Sequence, residues 1–256
     1  MIQSALYVQI SQKGVSLSDL LRSKTTKDTG GSRSLNGELS QFETGQVITL
    51  SAGHSVHDTY SAFLAPLLPG LIERFTLTNA QAGLLSAFMQ LASVLQPVMG
   101  YLADRISLRY LVILAPGITA TVMSLVGIAP YYVIVAMLLF VAGLSSAGMH
   151  AVGPAMAGRV SGDRLGRGMS FWMVGGELGR TIGPILVVSV ITWKGIESTP
   201  WLMLGGWAAS GLLFVRLRGI SGKPTVSASS LTWREVLTQM RPFLLALSLL
   251  QIVRSF

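Results

Sequence analysis

From residue 47 onward the chain alternates long apolar runs with short polar joints. The runs cover 47–72, 80–102, 110–129, 131–157, 169–193 and 200–217. Each is close to the about 20 residues a helix needs to cross a bilayer. A polar stretch over 218–241 follows, and Pro242 opens a seventh run, 242–256. Residues 1–46 are polar, with little periodicity, and are expected to form a disordered tail. That tail reads either as a cytoplasmic extension or as the result of a start codon set too early. The pattern predicts an all-α integral membrane protein with six complete transmembrane helices, a central loop and the start of a seventh helix.

Composition narrows the classes further. Half of the residues are hydrophobic and only 12% are charged, with a mean hydropathy of +0.58. An ordinary soluble domain is far less apolar. The net charge of +8 does not point to nucleic acid, because the basic residues sit between apolar spans and not on one solvated face. Cysteine is absent, which removes disulfides, thiolate metal sites and cysteine nucleophiles. The glycines lie in membrane runs and follow no strand, so no nucleotide or other cofactor site is expected. No His-Glu-x-x-His or comparable catalytic set appears, and the chain is not expected to be an enzyme.

Loop charge sets the orientation. Ten basic residues (Arg105, Arg109, Arg159, Arg164, Arg167, Arg216, Arg218, Lys223, Arg234, Arg241) fall on one side, against Arg74 and Lys194 on the other. The richer side is expected to be cytoplasmic. The N-terminus then lies inside as well.

Ionisable groups in a bilayer are costly unless paired or hydrated, so their placement is informative. Spans three and six carry none. His54, His57 and Asp58 lie in span one, His150 in span four, Glu177 and Arg180 in span five, and Arg254 in the seventh run. His54, Asp58, Ser61 and Ala65 share one helical face, with His57 at its edge. Histidine titrates near neutrality, so this group is a candidate proton carrier. A polar seam that only holds helices together is the other reading. A metal site is not expected, because two histidines and one carboxylate make a poor cage.

In span five, Gly175, Gly179 and Gly183 stand four apart and form a ridge that admits another helix closely. Glu177, Thr181 and Pro184 occupy the opposite face, with Arg180 at its flank. Glu177 and Arg180 are either a fixed pair or a switching one, in which Arg180 takes an anionic substrate and Glu177 a proton. Spans two and five echo each other at a constant offset of 87, Gln90-Leu91, Leu95 and Pro97 against Glu177-Leu178, Ile182 and Pro184. Such an echo suits a 3+3 inverted repeat.

The turn between spans two and three reads Gly100-Tyr-Leu-Ala-Asp104-Arg105-Ile-Ser-Leu-Arg109. Asp104 ends a helix, where a carboxylate needs cations nearby. This spacing resembles the signature between helices 2 and 3 of the major facilitator superfamily. The resemblance implies that Asp104, with Gly100, Arg105 and Arg109, latches the halves of a twelve-helix carrier, and that helices 1, 4 and 7 line its cavity while 3 and 6 face lipid. Gly179 and Gly183-Pro184 are similar to the core of the antiporter signature. With Gly53-His54-Ser55-Val56-His57-Asp58-Thr59-Tyr60 and the Gly143–His150 stretch, they resemble the fosmidomycin-resistance-type branch.

That branch exports small toxic compounds against a proton gradient, and Asp58 matches its helix 1 acid. The resemblance implies the N-terminal half of such a carrier, set in a bacterial inner membrane and completed by a C-terminal half. Asp58, Glu177, His54, His57 and His150 would carry protons, and Arg180, Arg254 and Gln90 would meet the substrate. Proton symport for uptake of a nutrient, and a half-carrier scaffold or sensor without transport, are the rival readings.

Overall fold

A computed structural model describes residues 41–103, 106–219 and isolated helical positions between 238 and 249. The expected tail up to residue 40, Asp104, Arg105, the loop beyond residue 219 and Arg254 lie outside the described residues. Every described element is helical. The α-helices are α1 (Thr44–Ser61), α2 (Leu64–Phe75), α3 (Asn79–Leu91), α4 (Gln96–Ala103), α5 (Arg109–Val126), α6 (Tyr132–Val160), α7 (Leu165–Lys194) and α8 (Met203–Leu217), with short 3-10 turns at Ala92–Leu95, Gly162–Arg164 and Ile196–Leu202.

Five segments among the described residues are long and apolar enough to cross a membrane: Asn79–Ala103, Arg109–Val126, Tyr132–Val160, Gly162–Lys194 and Ile196–Leu217. They match the second to sixth expected spans. The first differs, because it is divided between α1 and α2 at Ala62 and Phe63. Pro66 is the cause: it has no N–H to give the Ala62 carbonyl, and its ring crowds that carbonyl. Pro97 acts the same way on Ser93, where the second span tightens into a 3-10 turn over Ala92–Leu95. The tail also ends sooner than expected. Helix begins at Thr44, and the Glu43 N–H bonds the Val160 carbonyl at 2.9 Å.

Helix α1 is the centre of the bundle, packed by α5, α6, α7 and α8. Its polar middle lies between two apolar clusters. Val47 and Leu50 join Val112, Ile113, Met149, Trp172 and Leu213 at one end. Tyr60 and Phe63 join Leu67, Leu85, Met123, Leu139 and Val187 at the other. Outward-facing Val94, Met137, Ile185 and Val215 are each more than 60% exposed, as expected of side chains that a bilayer covers. Span three was expected at the lipid face, yet more than half of α5 is buried, and its inner side reaches α1.

The glycine ridge of α7 faces α1 of the same chain. A Cβ at Gly175, Gly179 or Gly183 would collide with the carbonyl of Ser51, Ser55 or Thr59 respectively. Only hydrogen at these positions lets the two backbones come so close.

Candidate functional site

The close approach of α7 presses a polar cluster into the middle of α1. Asp58 is its centre, with a side chain only 3% exposed. His54 Nε2 lies 3.4 Å from Asp58 Oδ2, His150 Nε2 from α6 lies 3.5 Å from Oδ1, and Arg180 Nη1 from α7 lies 3.9 Å from Oδ2. Neither oxygen of the carboxylate, nor His54 Nε2, makes a well-aligned hydrogen bond as the rings are oriented. Gly176 makes room for this arrangement, since a Cβ there would stand 2.6 Å from His54 Cε1.

The state of His54 follows from what it touches. Its Nδ1 lies 2.9 Å from the Trp172 carbonyl, which can only accept, so Nδ1 carries the hydrogen. In the neutral ring Nε2 is therefore a lone pair, and it faces the lone pairs of Asp58. Trp172 also stacks on the ring, with centroids 3.9 Å apart and planes 13° from parallel. His150 meets His54 edge-on at 5.1 Å.

His57 belongs to a different network. It is completely buried and lies at the head of a chain running through α5 and α6. Ser145 Oγ donates to the Ala115 carbonyl at 3.3 Å and accepts from Thr119 Oγ1 at 2.9 Å. Thr119 must then accept from His57 Nδ1, 3.2 Å away. The proton on Nδ1 is thereby committed to a chain that ends on a carbonyl. The ring still lies 5.8 Å from that of His150.

Glu177 and Arg180 form the outer part of the site. The Arg180 guanidinium donates to Glu177 Oε1 while it approaches Asp58, and the two side chains are 53% and 66% exposed. Two carboxylates thus share one guanidinium. Gln90 is exposed on α3, and its side chain makes no hydrogen bond among the described residues. Gly100 has open space around it in α4. Arg109 opens α5 with its guanidinium 5.1 Å from the Tyr110 ring centroid.

Sequence reasoning did not reach Trp172, Thr119 or Ser145. The signal for Trp172 is its position one turn before Gly176, on the packed side of α7. Thr119 and Ser145 carry none, since hydroxyls are ordinary in membrane helices.

Residues 50–255 match the family model of the Major Facilitator Superfamily. The chain belongs to that superfamily. Its members are transporters, not enzymes, and this facilitator chain is embedded in a lipid bilayer. Over 161 residues it is 29% identical to the fosmidomycin resistance protein of Escherichia coli (strain K12), an alignment covering 62% of this chain and 40% of that protein. It is 27% identical over 161 residues to the uncharacterized MFS-type transporter YfnC of Bacillus subtilis (strain 168), covering 62% of this chain and 39% of that one. The facilitator chain therefore spans about two fifths of the length of these curated relatives.

Proposed function

We propose that this facilitator is the N-terminal half of a proton-coupled carrier of the fosmidomycin-resistance type, which exports a small anionic compound by alternating access. Six crossings are counted by taking α1 and α2 together as the first, and they fall into two inverted triplets. The side rich in Arg and Lys is cytoplasmic, and so is the N-terminus. The membrane is the bacterial plasma membrane. A C-terminal half completes the cavity, and the Gly100 to Arg109 turn, including Asp104 and Arg105, latches it.

One observation carries this reading. Asp58 is a buried carboxylate without a well-aligned hydrogen bond, within ion-pair reach of His54 and His150, and the guanidinium near it is already shared with Glu177. Such a group is unstable unless a cation joins it. A proton, held between Asp58 and His54 or His150, supplies that charge. Its release to one side of the membrane and capture from the other couple the gradient to the rocking of the halves. Glu177 provides the second protonatable carboxylate, His57 stays bonded to Thr119, and Arg180, with Gln90 and Arg254, draws in the anion.

The test uses the natural protein reconstituted in vesicles with an imposed proton gradient. Fosmidomycin, the compound in the E. coli relative's name, is the first candidate. Asp58→Asn should abolish gradient-driven movement, and Glu177→Gln should reduce it. If both variants kept full proton-driven transport, the roles assigned here would be wrong. The direction of net flux separates export from uptake by symport.

A further inference from the structure

We infer that His54, Asp58 and His150 form a binding site for a divalent transition-metal ion, one that competes with the proton for the same lone pairs. The inference stands on geometry alone and does not require the chain to transport anything.

The three residues each offer one ligand atom, and these atoms lie within 4.8 Å of one another. Metal–nitrogen and metal–oxygen bonds of about 2.0–2.2 Å set ligands roughly 3.3–3.5 Å apart in a tetrahedron. His54 Nε2 stands 3.4 Å from Asp58 Oδ2, already at that edge length, and His150 Nε2 stands 3.5 Å from the other oxygen, Oδ1. The remaining edges, none longer than 4.8 Å, would close by rotation of His150, whose side chain is 31% exposed. That exposure leaves the site open on one side, as three-ligand zinc sites are.

The second feature is the unpartnered atoms. Asp58 Oδ1 and Oδ2 and His54 Nε2 are buried, point at one another and lack a donor. His54 is held in the tautomer a metal requires, because its Nδ1–H is given to the Trp172 carbonyl. Metal-bound histidines are typically oriented by such a bond from the other ring nitrogen. Two imidazoles and one carboxylate suit zinc, cobalt or nickel, while magnesium and calcium want more oxygen ligands. The expectation of no metal site weighed His54, His57 and Asp58 of α1; His57 is bonded into another network, and His150 from α6 takes its place beside an open coordination position.

Arg180 opposes the ion. Its Nη1 lies 3.9 Å from Asp58 Oδ2, and the guanidinium has Glu177 as an alternative partner. An incoming dication would push it onto Glu177. Removing the guanidinium charge should therefore strengthen binding, which a purely structural role for Arg180 would not produce.

The experiment is equilibrium dialysis of Zn2+ alone against the full-length natural protein, purified without a histidine tag in detergent. Co2+ absorption reports the coordination geometry. The wild-type protein should take up one ion per chain at this site and give a tetrahedral Co2+ spectrum. His150→Ala, at a position whose side chain is 31% exposed, and Asp58→Asn should each weaken binding about tenfold or more. Arg180→Gln should tighten it. Equal Zn2+ affinity in the wild-type protein and His150→Ala, or no saturable uptake by the wild type, would overturn the inference. Because dialysis needs no transport, a negative result leaves the carrier proposal untouched, and an inactive carrier can still bind the ion.

Discussion

Replacing Gly176 by alanine adds one methyl group where α7 meets the cluster, and the outcome can be worked from distances. The new Cβ would stand 2.6 Å from His54 Cε1, 3.0 Å from His54 Nε2 and 3.1 Å from Asp58 Oδ2. Carbon atoms pack best at about 3.5–4.0 Å, so the imidazole must retreat by roughly that shortfall. It is not free to do so, being stacked on Trp172 at 3.9 Å and bonded through Nδ1 to the same residue's carbonyl at 2.9 Å. Alanine gains about 1 kcal/mol of helix propensity over glycine, whereas overpacking costs about 1–3 kcal/mol. The penalty wins, and it falls on the His54–Asp58 pair. The net loss of stability is then about 0–2 kcal/mol, and gradient-driven transport should slow because the displaced imidazole belongs to the coupling pair. Gly83→Ala is the control, since nothing lies within 4 Å of a Cβ at that position of α3; it should be neutral or stabilising. The assay pairs melting in detergent with the initial rate of gradient-driven transport in vesicles. A Gly176→Ala protein that melts and transports like the Gly83→Ala protein would refute the reasoning.

Thr119→Val removes the acceptor of the buried His57 Nδ1–H, and should lower stability by about 1–3 kcal/mol. Ser145→Ala, which removes the next member of the chain, should cost less, and the double variant should fall short of the sum; denaturation of the three proteins measures both. Thr78→Ala breaks a capping box at the start of α3, where Thr78 and Gln81 bond each other's backbone. It should lower stability by about 0.5–2 kcal/mol without altering zinc uptake, which melting and dialysis check together.

The helical architecture was legible because membrane insertion imposes a long, uninterrupted hydrophobic signal that local sequence carries by itself. Five of the expected spans needed nothing further. The division of the first was also written in the chain, at Pro66, but the apolar run hides it: hydropathy sums over a window and is blind to a missing N–H. The ridge of Gly175, Gly179 and Gly183 could be read as a packing face. Its partner could not, because periodicity gives the side of a helix and never the neighbour on that side.

The same limit separates His54 from His57. On α1 they are three residues apart and look alike, two imidazoles beside a carboxylate. What distinguishes them comes from other helices. A backbone carbonyl of α7 takes the His54 Nδ1 hydrogen and turns Nε2 toward Asp58, where it is a bare lone pair in the neutral ring. A hydroxyl chain through α5 and α6 takes the His57 Nδ1 hydrogen and carries it away from the carboxylate. One histidine is thereby left needing a cation and the other is fixed in place. That difference is why the cation, whether proton or metal ion, is assigned to the side of Asp58 shared by His54, His150 and Arg180.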